Sequence, residues 1–93
     1  MNAEHLRFGS CPHRCLFRNH CVEAHLVGLS GNAARFDACL PVDLRLIVTY
    51  GSVCAHVGTC LRRLQEGDQL EVPPSCPLQL SAEEQADVIL VMS

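Results

Sequence analysis

The sequence predicts a small, mainly β domain of six to eight short strands, arranged as a barrel or a sandwich. Two observations support this prediction. Apolar and polar residues alternate over several short stretches, which is typical of strands with one buried face. Clusters of glycine and proline separate these stretches at close spacing. A chain of 93 residues is long enough for one domain of this kind.

The composition favours a folded domain with an aliphatic core. Hydrophobic residues make up 48% of the chain and charged residues 18%, which argues against disorder. Tryptophan is absent and Tyr50 is the single tyrosine, so leucine, valine, isoleucine, alanine and cysteine must fill the core. A net charge of −3 gives no reason to expect nucleic acid as a partner.

The compartment is predicted from two further observations. No apolar run approaches the roughly 20 residues that a membrane-spanning helix needs, and the first twenty residues show no secretory signal pattern. We therefore expect a cytoplasmic protein without membrane contact. Its seven cysteines are odd in number, so we expect free thiols rather than a full disulfide framework.

The first third of the chain divides into an arm and a strand. Residues 1–19 show no clean period, and Gly9, Ser10 and Pro12 would break any helix, so we expect an irregular N-terminal arm or cap followed by the β domain over residues 20–93. Residues 20–27 alternate as a strand. One face carries Val22, Ala24 and Leu26, and the other carries Cys21, Glu23 and His25. Residues 28–32 are predicted to form a turn.

The rest of the chain contains short strands between turns. Residues 33–40 are interpreted as a short strand or a helical turn, and residues 43–50 give the clearest strand. Strands are also predicted over 53–57, 60–64, 69–72, 77–80 and 88–92. Residues 81–84 have the form of a capping box, which predicts about one turn of helix. The residues expected to line the barrel are Leu44, Leu46, Val48, Tyr50, Leu70 and Val72.

The second half of the chain resembles part of a cupin domain, a small β-barrel of the jelly-roll class. The resemblance covers about forty-five residues. Gly51 ends a strand, and the run L-x-x-G-D-x-L-x-V-P follows as Leu64, Gly67, Asp68, Leu70, Val72 and Pro73. A Gly-Asp turn supplies a positive-φ position and a side chain that caps its own turn. The resemblance thus implies a jelly-roll-like barrel in which Gly51, Gly67, Asp68 and Pro73 are structural turn residues.

The metal motif of catalytic cupins is missing from this sequence. That motif places a His-x-His pair and a glutamate before the strand-ending glycine, where this chain has residues 38–44 without a histidine. The motif also has a later ligand histidine, which would fall near Pro77 or Leu78, and no histidine is present there. The resemblance therefore implies a non-catalytic cupin, either a sensor or a barrel that binds a partner.

A second family shares the same turn. Residues 40–46, followed by Leu61 to Leu64 and by Gly67 to Leu70, also resemble a surface-presentation-of-antigens (SPOA) domain. Such domains build the cytoplasmic rings of flagellar and type III secretion systems as intertwined β dimers. This resemblance implies a structural assembly module in which two chains exchange strands.

The N-terminal cysteines form the one pattern with metal-ligand character. Cys11, Cys15, Cys21 and His25 are spaced as C-x3-C-x5-C-x3-H, and three thiolates with an imidazole suit tetrahedral zinc. Cys21 and His25 would stand about 13 Å apart on an extended strand, so the site requires a segment that is not extended. No catalytic arrangement follows from the spacing of the remaining residues.

These observations predict a non-catalytic binding or sensory β-barrel. Its expected partners are a second copy of the chain, another protein or a small ligand. No cofactor is expected unless the N-terminal cysteines bind zinc. The two alternatives are an SPOA-type assembly module and a small zinc-binding module.

Overall fold

The computed structural model describes residues 6–7, 11–30 and 35–93, and these contain ten strands and no helix. The strands are β1 (Leu6–Arg7), β2 (His13–Arg18), β3 (Glu23–Leu29), β4 (Arg35–Ala38), β5 (Leu44–Tyr50), β6 (Ser52–Val57), β7 (Cys60–Gln65), β8 (Gln69–Val72), β9 (Leu78–Ser81) and β10 (Ala86–Met92).

The strands form two five-stranded sheets, which are antiparallel throughout. The first sheet has the order β1-β4-β9-β6-β7 and the second has the order β2-β3-β10-β5-β8. Strands that are distant in sequence become neighbours, since β3 and β5 both pair with β10. This arrangement confirms the predicted fold class, a small jelly-roll-like β-barrel.

The eight predicted strand regions correspond to β3 to β10, and two further strands lie within residues 1–19. His13–Arg18 pairs with β3, and Leu6–Arg7 pairs with β4. All six residues of β2 are exposed, so no alternation of apolar and polar side chains marks this strand in the sequence. The strand β2 forms because it pairs with the edge of the sheet at β3, and burial of one of its faces plays no part.

The connection between β9 and β10 corrects the predicted helical turn over residues 81–84. Ser81 is the last residue of β9, Ala82 is buried, and β10 begins at Ala86. Only four residues join the two strands, and a single helical turn has no stability of its own without tertiary support. The sheet pairing of Ser81 with Arg35 and Cys54 takes its place.

The core lies between the two sheets and is packed mainly with aliphatic side chains, although Phe36 of β4 is also fully buried in it. The central strand β10 contributes Val88, Leu90 and Met92, each fully buried, and β5 contributes Leu46 and Val48 from the next strand. Leu44 and Val72 are also buried, and Leu70 is half-buried against the same cluster.

Tyr50 was predicted to line the barrel, and this is wrong, because its side chain is 54% exposed. The pairing of β5 with β10 shifts by one residue, since Val88 pairs with Val48 but Asp87 pairs with Tyr50. Thr49 is the extra residue of this β-bulge, and its hydroxyl donates to the Asp87 carbonyl at 3.1 Å. A one-residue shift reverses the face on which a side chain points. The bulge therefore turns Tyr50 outward.

The Gly67-Asp68 turn is stabilised by a hydrogen bond within the turn and by a hydrogen bond to β5. Gly67 has a φ of +91°, and the Asp68 carboxylate accepts a 2.7 Å hydrogen bond from the backbone N–H of Gln65. The Gly67 amide donates to the Val48 carbonyl at 2.9 Å. The turn therefore fixes where β7 crosses from the first sheet to β8 of the second. Pro73 directly follows β8 and is exposed.

Candidate functional site

Strand β3 turns its polar residues towards the barrel interior. Glu23 has no exposed surface and His25 is 4% exposed, whereas Ala24 and Leu26 on the other face are only half-buried. Val27 lies on the same face as Glu23 and His25 and is fully buried. Because side chains alternate along a strand, a face that is inward at Val27 is also inward at His25 and Glu23.

Glu23, His25 and Arg18 form an inner polar cluster. His25 Nε2 lies 2.9 Å from Glu23 Oε2 in a buried hydrogen bond. Arg18 Nε lies 3.1 Å from Glu23 Oε1, and the Arg18 side chain is 57% exposed. Arg18 therefore connects the buried carboxylate to the solvent at the β2 edge of the second sheet.

The neighbouring edge strand β2 places more polar residues on this side of the sheet. Arg18 is the cross-strand partner of Glu23, and Cys15 is the cross-strand partner of His25. Cross-strand partners lie on the same face with Cβ atoms about 5 Å apart. One face of the β2–β3 pair therefore presents a thiol, an imidazole, a carboxylate and a guanidinium.

Burying the polar side chains of this cluster costs folding free energy, so stability alone does not explain why they lie inside the barrel. A charged group taken out of water is costly unless it is paired, and an apolar replacement of similar volume is often at least as stable. Glu23 Oε1 forms an ion pair with Arg18, but no described residue donates a well-aligned hydrogen bond to this oxygen. The carboxylate therefore retains acceptor capacity inside the barrel.

The four residues predicted to bind zinc are not gathered in one place. Cys11 is buried in the hydrophobic core, and its thiol donates to the Arg35 carbonyl at 3.6 Å. Cys21 is exposed between β2 and β3. Only Cys15 and His25 are brought together, as cross-strand partners. Among the described residues, no group of three or more cysteine, histidine, aspartate or glutamate side chains could hold a metal ion.

Residues 38–44 contain Cys39 and Asp43 but no histidine, and the other side chains in this segment are apolar. Ala38, Leu40 and Leu44 are buried in the core, and Leu78 is 2% exposed. Alkyl side chains offer no donor atom for a metal ion. The side chains of these four residues therefore cannot ligate a metal ion.

The seven cysteines differ in burial, and we expect their thiols to differ in reactivity for that reason. All seven are free thiols, and Cys15, Cys21, Cys39 and Cys60 are exposed. Burial raises the pKa of the Cys11 thiol above its ordinary value, so little reactive thiolate forms there.

We therefore expect Cys11 to be the slowest of the seven cysteines to react with iodoacetamide in the native protein, and Cys15 to be among the fastest. Peptide mass spectrometry after a short pulse of reagent measures this order. In urea the difference should vanish, because unfolding exposes both thiols. Equal native rates for the two thiols would contradict the buried position of Cys11.

The larger described clefts lie away from the inner polar cluster. One, of about 510 Å³, lies beside the exposed Arg45–Glu71 ion pair, whose closest atoms are 2.8 Å apart. Another, of about 470 Å³, includes Asp37, His56 and Gln79 among its lining residues. The sequence gives no signal for Asp37 or His56, since neither lies in a recognisable motif.

Comparisons with known proteins identify the fold. No family model matches the chain, and no curated protein matches it. An RmlC-like cupin from Shewanella frigidimarina superposes with a TM-score of 0.84 at 20% identity, over 91% of this chain and 77% of that one. A conserved Streptococcus pyogenes protein of unknown function, SPY1581, gives 0.80 at 19% identity, over 89% and 73%.

A eukaryotic structure gives the same result. The cupin domain of Cnp3 from Schizosaccharomyces pombe superposes with a TM-score of 0.81 at 12% identity, over 94% of this chain and 63% of that one. Within the part of the chain that the structure describes, no helix is long and apolar enough to cross a membrane. The strand order and these likenesses agree, and the chain has the jelly-roll fold of cupin domains.

Proposed function

We propose that this protein is a non-catalytic binding barrel that holds a small polar ligand at the inner polar cluster of Arg18, Glu23 and His25. The observation that carries the proposal is the complete burial of Glu23 beside His25 on the inner face of β3. A few convergent polar groups in an otherwise apolar interior are a common mark of binding sites.

The chemistry of the cluster indicates the class of ligand. Glu23 Oε1 has acceptor capacity, so it suits an amine or hydroxyl of the ligand. The Arg18 guanidinium is more than half exposed and suits a carboxylate, which it can bind through two parallel hydrogen bonds. A small amino acid or hydroxy acid carries both groups.

The proposal assigns the domain no reaction and no cofactor. The buried apolar side chains of Ala38, Leu40, Leu44 and Leu78, near the region where the cupin resemblance would place metal ligands, support a binding role. Its proposed location is the cytoplasm, where thiol-reducing systems keep cysteines such as these seven unpaired.

A thermal-shift screen of the whole chain with amino acids and hydroxy acids tests the proposal. A ligand at ten times its Kd stabilises the folded state by about 1.4 kcal/mol. For a domain of this size that raises Tm by roughly 6–11 °C. We expect at least one compound to do so and Glu23→Gln to abolish the shift, because the amide keeps the shape of the side chain but removes the negative charge that would pair with a ligand amine.

Glu71→Gln is the matched control, since Glu71 also pairs with an arginine, Arg45, but is 77% exposed on β8. This variant should keep the full ligand-induced shift. The proposal is wrong if no compound raises Tm, or if the shift persists undiminished in Glu23→Gln.

A further inference from the structure

Strand β7 forms one edge of the first sheet. It is the last strand in the order β1-β4-β9-β6-β7, and among the described strands it pairs with β6 alone. Its first four residues, 60–63, are all exposed, and Leu61 is 61% exposed. The edge of a sheet carries backbone N–H and C=O groups that can pair with another strand. The free side of β7 is therefore able to accept one.

The backbone of β7 shows which residues offer these groups. Gln65, at the end of the strand, donates its N–H to the Asp68 carboxylate at 2.7 Å and accepts from the Asp68 N–H at 2.8 Å. Both backbone groups of Gln65 therefore point out of the ladder with β6. Backbone groups alternate in direction along an antiparallel strand, so Arg63 and Leu61 also direct their N–H and C=O groups to the free edge.

The β7 edge is positively charged. Arg62 and Arg63 are both exposed, and as consecutive residues of a strand they point to opposite faces. Glu83 and Glu84 line the same cleft as Arg63. Within the part of the chain that the structure describes, however, neither arginine forms an ion pair. Two unpaired guanidinium groups thus flank this edge in a chain whose net charge is −3.

The order of side chains along β7 defines the strand that fits beside it. Residues 61–64 are apolar, basic, basic and apolar in turn. Opposite charges on cross-strand partners are favourable and like charges are not, so the matching strand reads apolar, acidic, acidic, apolar. Glu66 follows β7 directly, which disfavours further acidic residues at that end. The β7 edge of a second copy fits poorly, because it would set arginine against arginine.

We propose that the β7 edge binds an extended acidic segment of a partner protein, which adds to the first sheet as a sixth, antiparallel strand. The backbone groups of Leu61 and Arg63 hold the segment, and the guanidinium groups of Arg62 and Arg63 select its charge. The inner polar cluster lies on β2 and β3 of the second sheet. The inference is therefore independent of the proposed function.

A short peptide, acetyl-Thr-Val-Glu-Glu-Val-Thr-amide, tests the proposal by titration into the ¹⁵N-labelled whole chain. Peptide concentrations up to about 5 mM detect affinities as weak as the millimolar range by NMR. We expect the backbone amide signals of Leu61 and Arg63 to shift and saturate, and those of the second sheet to move least. A peptide with lysine in place of both glutamates should bind at least about 10-fold more weakly, because like charges then face each other.

Backbone N-methylation distinguishes strand addition from charge attraction alone. In the antiparallel register the first glutamate lies opposite Arg63 and the second valine lies opposite Leu61, so their N–H groups face β7. Methylating these two nitrogens should weaken binding at least about 10-fold, because two hydrogen bonds are lost. Methylating the first valine and the second glutamate instead should change little, since those N–H groups point away. Equal binding of the two methylated peptides overturns the proposal.

A charge reversal on the protein gives a second test. Arg62→Glu combined with Arg63→Glu changes only exposed side chains, and it should weaken binding of the acidic peptide at least about 10-fold and allow the lysine peptide to bind. Arg14→Glu is the matched control, because Arg14 is exposed on β2, an edge of the other sheet, and it should have no effect.

Three results would overturn the proposal at this stage. The acidic peptide might leave the β7 signals unmoved, or Arg14→Glu might weaken binding as much as the double variant does. The third is a shift of the β7 signals with protein concentration in the absence of peptide, because a second copy would then occupy this edge.

Discussion

Gly51→Ala is expected to lower the free energy of unfolding by about 3–5 kcal/mol, for two reasons that add. Gly51 has a φ of +76°, which strains any residue with a Cβ. A Cβ at this position would also lie 2.5 Å from the Gln85 carbonyl oxygen and 3.1 Å from Ala86 Cα. Both neighbours are backbone atoms, one just before β10 and one at its first residue, so the start of the central strand would have to move.

Gly67→Ala separates the two causes. Gly67 has a φ of +91°, but an added Cβ would meet nothing within 4 Å. This variant should carry the conformational strain alone and lose only about 1–2 kcal/mol. Urea denaturation of both variants measures the difference. Equal losses would mean that the contact between Gly51 and residues 85–86 relaxes freely, contrary to the close packing seen here.

Leu90→Ala is expected to lower the free energy of unfolding by about 2–5 kcal/mol, because it removes a buried side chain from the central strand. Leu90 is fully buried and has Leu46 of β5 and His25 of β3 as cross-strand partners. A cavity at this position borders both the apolar core and the inner polar cluster. Neighbouring strands hold the backbone on both sides, so collapse around the missing atoms is limited.

Leu61→Ala is the control for this prediction. The same atoms are removed, but Leu61 is 61% exposed on β7 at the edge of the first sheet. Its effect should stay within about 0.5 kcal/mol. If Leu90→Ala were equally mild in urea denaturation, the packing of β10 between β3 and β5 would be wrong.

The sequence predicted the strands well where one face is buried and the other is open. Residues 43–50 alternate cleanly, and β5 spans Leu44–Tyr50. The Gly67-Asp68 turn lies where its composition places it, between β7 and β8. Strand β2 could not be predicted in this way, since all six of its side chains are exposed and its position depends on pairing with β3.

The sequence was least informative about the candidate site. The alternation over residues 20–27 separated Glu23 and His25 from Ala24 and Leu26, but composition alone would place the apolar pair inside. The register with β10, which pairs Glu23 with Met92 and His25 with Leu90, places the polar pair inside instead. By the same register, Leu26 and Ile89 share the outer face of the sheet.

By itself, the sequence determined that this chain is a small β domain with a mainly aliphatic core, a Gly-Asp turn and no histidine within residues 38–44. These properties depend on composition and on patterns within a few residues, which local physics governs. Only the tertiary structure decided which face of each strand is inside, that Tyr50 points outward, and that Arg18 meets Glu23. Those properties depend on strand register and on a one-residue bulge, and both arise from pairing between segments that are far apart in the chain.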